Sequence, residues 1–282
     1  MVKAIDIHVH PVNRPSVEET ERQRQMAQYF RGEPTPQDPE GFYKYYKERD
    51  MMAVLLVTGP VKDPRVEPNH NDWSKELMDT YPDTFIGFGG VDPKQGKLAV
   101  QEAKRCVEEL GLKGFKFHPP SQAFEPNNPD YYELWGAISD LGVPALFHTG
   151  QTGVGAGQPG QNGIKNKYGR PYPYIDDIAA DFPHLQIIMA HPSFPWVDEQ
   201  LSICSIKTNV FLDLSGWSPK YFSANLIQYV NTLLQNKAMF GSDFPVITPD
   251  RWLRDAEGVA FRPEVLPKLM LENAKKLLKL DI

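Results

Sequence analysis

Cysteine is nearly missing from this chain: only Cys106 and Cys204 occur among its 282 residues. Neither has a CxxC partner or an obvious local base, so a disulfide scaffold is excluded and both thiols read as packing residues on helices. Also missing is any stretch of roughly 18 to 20 apolar residues, as a membrane span needs. The first residues run straight into a strand without a signal-peptide pattern, so the expected setting is cytoplasmic. No dense Lys/Arg block relieves the formal charge of -6. That leaves no electrostatic footprint for nucleic acid or an anionic membrane, and a small-molecule partner becomes the default.

What is present is periodic. Eight short β-branched or aromatic runs, at 4–9, 52–58, 85–91, 114–118, 145–148, 187–190, 210–214 and 238–241, alternate with helical patterns near 71–80, 97–110, 130–141, 173–181, 197–206, 220–234 and 263–280. Repeated βα units mean a parallel sheet, and eight of them predict a closed (β/α)8 TIM barrel with residues 1–282 forming a single domain. Two connections are longer than the usual few residues. One, 12–50, follows strand one and holds a candidate added helix over 18–30, while its Pro-rich part, 33–39, reads as a lid, a dimer arm or a loop. The other, 150–172, follows strand five and is rich in glycine. Segments leaving strand C-termini build the active-site face of such barrels, so both insertions are expected over the mouth. Tyr29, Phe30, Tyr43, Tyr45, Tyr46 and Trp217 are expected to overhang it. Lys165, Lys167, Arg170 and Arg251 are the cations available to a substrate carboxylate or phosphate.

His8 and His10 lie two apart in Asp6-Ile7-His8-Val9-His10. Strand alternation points both rings one way and sets Ile5, Ile7 and Val9 on the other face, which is a geometry suited to two ligands of one divalent metal. Five of the seven histidines, His8, His10, His118, His148 and His191, close a predicted strand. Asp243 follows strand eight, which a closed barrel returns to the side of strand one. Three or four N/O ligands converging in this way suit Zn or another borderline divalent ion with an open position.

Taken together, Asp6-Ile7-His8-Val9-His10, Gly114-Phe115-Lys116-Phe117-His118-Pro119, Phe147-His148-Thr149-Gly150, Ala190-His191-Pro192, Gly241-Ser242-Asp243-Phe244-Pro245 and Glu272-Asn273-Ala274-Lys275-Lys276-Leu277-Leu278 resemble the amidohydrolase superfamily. Within it the chain is similar to the second amidohydrolase family, which groups metal-dependent hydrolases with relatives of aminocarboxymuconate semialdehyde decarboxylase. The resemblance implies a single metal, Zn first and Mn, Fe or Co after it, held by His8, His10, His148 and Asp243. It implies catalytic roles for Asp243 and for His191, the latter as acid, base or carbonyl-polarising group, and it admits a homodimer. Some superfamily members carry a carboxylated lysine at the position of Lys116. This branch generally does not, so Lys116 is expected to pair with Asp6 or with a substrate carboxylate.

Two reaction classes fit this ligand set. The leading expectation is hydrolysis of a small acyl or organic-acid substrate by metal-activated water, with Asp243 taking the proton. The alternative is non-oxidative decarboxylation of an aromatic or unsaturated acid, and a non-catalytic, metal-stabilised barrel is the minor one. His118, Lys116, Lys165, Arg170 and Trp217 are the candidate substrate-binding residues.

Overall fold

In the computed structural model, residues 2–14, 20–30, 32–57 and 70–282 are described. Eight strands and eleven α-helices follow the order β1 (Ala4–Val9), α1 (Glu21–Phe30), α2 (Pro39–Lys47), β2 (Met51–Leu56), α3 (His70–Thr80), β3 (Phe85–Phe88), α4 (Lys97–Glu108), β4 (Phe115–Phe117), α5 (Pro119–Gln122), α6 (Tyr132–Asp140), β5 (Ala145–His148), α7 (Tyr174–Asp181), β6 (Ile187–Ala190), α8 (Val197–Ile206), β7 (Val210–Asp213), α9 (Ala224–Val230), β8 (Ala238–Met239), α10 (Pro249–Ala256) and α11 (Asn273–Leu277). Thr58, expected to end strand two, and residues 18 and 19, expected to start the added helix, lie outside the described residues.

Every strand pair is parallel, β1-β2-β3 forming one ladder and β4 to β8 the other. The two ladders close on each other. Gly89 bridges Phe115 beside β4, while the Ile7 N–H donates to the Phe240 carbonyl at 3.1 Å and Val9 bridges Phe244. A barrel has no free edge, so every backbone group of the sheet can find a partner. Ile5, Met52, Val54, Leu56, Ile86, Phe88, Leu146 and Ile188 form one buried cluster. They come from both ladders, β1 to β3 and β5 to β6, so the two ladders share this cluster. A larger cluster, with Phe117, Trp135 and Phe147 packed ring on ring, seats the sheet on its helices.

The first insertion differs from expectation. Asp38 accepts the Gly41 N–H at 2.9 Å and Pro39 sits in the first turn, a start signal for α2. This helix packs its tyrosines against neighbouring side chains, one buried and two half-buried, instead of lifting them over the mouth. Tyr46 is fully buried, Tyr43 stacks on Tyr81 with ring centroids 4.4 Å apart, and Tyr45 lies under the Arg49 guanidinium. The Pro-rich stretch before it is the lead-in to this cap. At the other end of the chain the long helix expected over 263–280 divides into a π-helical turn, Lys268–Glu272, and α11.

Candidate metal centre

Strand β1 is not a plain pleat. Its pairing with β2 slips between Asp6 and Val9, and the His8 N–H turns to Asp6 Oδ1 at 3.2 Å. The strict alternation read from the sequence is therefore interrupted at the functional end, as β-bulges next to sites commonly do. Asp243, just past β8, is brought beside β1 by its own N–H donating to the His8 carbonyl at 3.0 Å.

His8 Nε2 lies 3.3 Å from Asp243 Oδ1, and His10 Nε2 lies 3.1 Å from the same oxygen. All three donor atoms fall within 4.8 Å of one another. Ligands at about 2.1 Å around a tetrahedral ion stand roughly 3.4 Å apart, close to both separations. Two imidazole nitrogens and a carboxylate oxygen are also donors that borderline divalent ions prefer. The residues present thus fit a divalent metal.

His148 lies outside that trio in this conformation. Its Nε2 is 3.3 Å from the Gln151 carbonyl, and its ring stacks on His118 with centroids 4.1 Å apart and lies 4.7 Å from His191. His191 stands beside the trio, its ring 4.7 Å from that of His8. Both His191 and Asp243 hold φ of 71°. A left-handed backbone costs a residue with a Cβ on the order of 1 to 3 kcal/mol, and such strain gathers at functional sites because it aims a side chain. Gly216 presses on the same ring: a Cβ there would sit 2.3 Å from His191 Nδ1.

Sequence reasoning missed the groups behind the trio. Asp213, fully buried at the end of β7, receives His8 Nδ1 at 2.6 Å, the Ser215 N–H at 2.9 Å and the Ser215 hydroxyl at 2.9 Å. Ser215 Oγ is also 3.0 Å from His191 Nδ1. A signal existed, since Asp213 closes predicted strand seven as the histidines close theirs. Asp6 is held by the Ser242 N–H at 2.8 Å and the Tyr46 hydroxyl at 3.1 Å, so it braces the Ser242–Asp243 turn. Lys116 meets His8 Nε2 at 3.2 Å and not Asp6, the first of the two partners expected for it.

Burial dominates the electrostatics. It pushes the carboxyls of Asp6 and Asp213 up to about 7 against the serine hydrogen bonds. It brings the Lys116 ammonium down to about 8 and the His191 imidazole down to about 4, and it lowers His8 and His148 well below the usual histidine range. For Asp243 the upward push of burial is outweighed by the His10 hydrogen bond and the charges of His191, His10 and Lys116, so this carboxyl stays low.

The other candidates divide. His118 caps α5 through Nδ1, 2.8 Å from Ser121 Oγ, and its Nε2 lies 3.1 Å from Thr152 Oγ1, so it ties the glycine-rich loop to the barrel. Phe30 and Tyr29 of α1 pack against Gly153 and Gly157 of that loop, which joins the two insertions. Trp217 packs on Phe194, centroids 5.6 Å apart. Arg170 is engaged by Glu199 at 2.6 Å, and Lys165 is exposed.

A closed (β/α)8 barrel with convergent imidazoles and a carboxylate past its strand ends defines a metal-site TIM barrel. The amidohydrolase family model Amidohydro_2 matches residues 5–280, and the chain belongs to that family. It is 33% identical over 117 residues to a γ-resorcylate decarboxylase of Rhizobium radiobacter, covering 39% of this chain and 36% of that one. It is 25% identical over 231 residues to a 2-keto-4-carboxy-3-hexenedioate hydratase of Sphingobium sp., covering 68% and 65%. The chain thus spans about a third of the first relative and just under two thirds of the second. Among solved structures, an uncharacterised TIM-barrel protein of Bordetella bronchiseptica superposes with a TM-score of 0.79 at 21% identity over 99% of both chains. A dihydroxybenzoic acid decarboxylase of Polaromonas sp., determined with bound manganese and the inhibitor 2-nitroresorcinol, gives 0.67 at 18% identity over 99% and 97%. Among the described residues no helix is long and apolar enough to cross a membrane.

Proposed function

We propose that residues 1–282 act as one amidohydrolase-related barrel that catalyses metal-dependent, non-oxidative decarboxylation of a small aromatic or unsaturated carboxylic acid. This reading replaces the hydrolase expected from the sequence, because the activities named among the relatives above are decarboxylation and hydration. The observation that carries it is the placement of the His191 imidazole and the buried Lys116 side chain against His8, a member of the donor trio.

His8, His10 and Asp243 would hold the ion, with His148 as the further ligand that the family resemblance implies. A divalent ion, when bound, supplies a Lewis-acidic anchor for substrate oxygens. Manganese in the Polaromonas decarboxylase supports a divalent metal and leaves zinc and manganese both in play. Lys116 places positive charge where a substrate carboxylate would lie, in surroundings too dry to screen it. His191 takes a proton from the substrate's acidic group and returns it to the carbon bearing the carboxylate. That carbon releases CO2 and keeps the electron pair of the broken bond for its new C–H bond. Burial of His8, Lys116, His148 and His191 limits the water that competes for the proton. Two buried free thiols, Cys106 and Cys204, support a reducing, cytoplasmic setting.

A second reading, hydration of an unsaturated acid, is favoured by the hydratase alignment, which spans more of the chain. Metal-replete protein incubated with 2,6-dihydroxybenzoate and with unsaturated dicarboxylates separates the two. Release of CO2 supports decarboxylation; loss of the alkene absorbance without CO2 transfers the assignment to hydration.

A further inference from the structure

We infer that Ser215 is a positioning residue that, together with Asp213, fixes the proton pattern of His8 and His191 at once, so that His191 offers a bare Nε2 to the reaction space. The inference rests on the reading of His191 as the proton carrier, and its geometry stands apart from any substrate.

The Lys116 side chain stands against His8 Nε2. An ammonium has only donors, so at 3.2 Å it makes His8 Nε2 an acceptor and places the His8 ring proton on Nδ1. That proton is donated to Asp213 Oδ2 at 2.6 Å. Oδ1 of Asp213 accepts the Ser215 N–H and Oδ2 accepts the His8 ring proton, so both oxygens act as acceptors and the Ser215 hydroxyl, 2.9 Å from Oδ2, gives its single proton to Asp213. Ser215 Oγ then has only lone pairs left for His191 Nδ1 at 3.0 Å, and Nδ1 must carry the proton of the neutral His191 ring. Nε2 of His191 is left unprotonated. The same serine donates its backbone N–H to Asp213 Oδ1 at 2.9 Å, which locks the hydroxyl's position. The next residue, Gly216, closes on the His191 ring within a distance that admits no Cβ.

The consequence is directional. His191 begins each cycle as a proton acceptor, so the proton delivered to carbon must first leave the substrate. A histidine whose tautomer is set by the partner of its other nitrogen behaves in this way. Swapping the tautomer would put a hydrogen at Nε2 and block that first transfer.

The test is nitrogen-15 NMR of histidine-labelled chain without paramagnetic metal, with His191 assigned by loss of its signals in His191→Asn. The expected wild-type pattern is a neutral ring protonated at Nδ1. In Ser215→Ala the pattern should move toward the Nε2–H form, with kcat down about 10- to 100-fold and KM unchanged. A wild-type ring protonated at Nε2 overturns the inference even if the alanine variant does not fold. So does a folded Ser215→Ala whose His191 signals stay in place. The expected spectra without CO2 release from any substrate would instead sink the decarboxylase reading and leave the positioning role standing.

Discussion

Gly216→Ala tests how tightly the fold pins His191. A Cβ at this position would lie 2.3 Å from His191 Nδ1, 2.7 Å from Cε1 and 3.0 Å from Cγ. Non-bonded carbons settle near 3.5 Å, so the ring must withdraw by about 1 Å. The rings of His8 and His148, each 4.7 Å away, and the Ser215 hydroxyl limit where it can go. A misplacement of about 1 Å can lower a rate roughly 100-fold, equivalent to about 2.7 kcal/mol of barrier. The backbone adds its own penalty. At φ of 73° an alanine costs about 1 to 2 kcal/mol relative to glycine. Gly96→Ala is the control, because it shares a positive φ, 54°, with no atom within 4 Å of the new Cβ. Both variants should lose a few degrees of Tm, about 2 to 4 °C per kcal/mol for a chain of this size. Only Gly216→Ala should lose CO2 release about 100-fold. A Gly216→Ala enzyme with kcat within a few-fold of wild type, or an equal loss in Gly96→Ala, would refute the idea that close packing aims this imidazole.

Further outcomes follow from the same geometry. Chelation should abolish CO2 release and lower Tm, and manganese or zinc should restore both; activity in fully demetallated protein would remove the metal from the reaction. In metal-free protein His8→Ala removes a hydrogen-bond donor from the buried Asp213 carboxyl and should cost about 1 to 3 kcal/mol in urea melts, while the double variant with Asp213→Asn should recover part of it. Equal stabilities of single and double variants would contradict that coupling. Burial holds the folded His191 imidazole at about 4 against an ordinary 6.5, so the unfolded chain binds the proton first as pH falls. The metal-free fold should therefore lose stability from about 6.5 down to about 4, and His191→Asn should flatten part of that decline; identical Tm profiles would count against the depressed value. Arg170→Ala should leave KM unchanged, since Glu199 already engages the guanidinium, and a several-fold rise would return Arg170 to the substrate.

The periodicity of apolar runs was enough to read the barrel, because burial on both faces forces strands and amphipathic helices into patterns that composition cannot hide. The histidines and Asp243 were legible for a related reason: in a barrel, the end of a strand is the mouth. Helix α2 is hard to see in the sequence, since its start signal is a cap and a proline within a polar stretch and its buried face is only Phe42 and Tyr46. Arg170 looked available because a sequence does not show that Glu199, on another helix, lies beside it.

The sequence by itself determined the fold class, through a local pattern repeated eight times, and the family and the gathering of His8, His10 and Asp243, through motifs at strand ends. Only the tertiary structure decided how those residues are aimed. The slip in β1, the left-handed backbone at His191 and Asp243, and the Asp213–Ser215 link depend on contacts between strands more than two hundred residues apart in some cases, as with His8 and Asp213. Hydrogen-bond direction and side-chain orientation are set by such long-range neighbours, which a linear pattern does not encode.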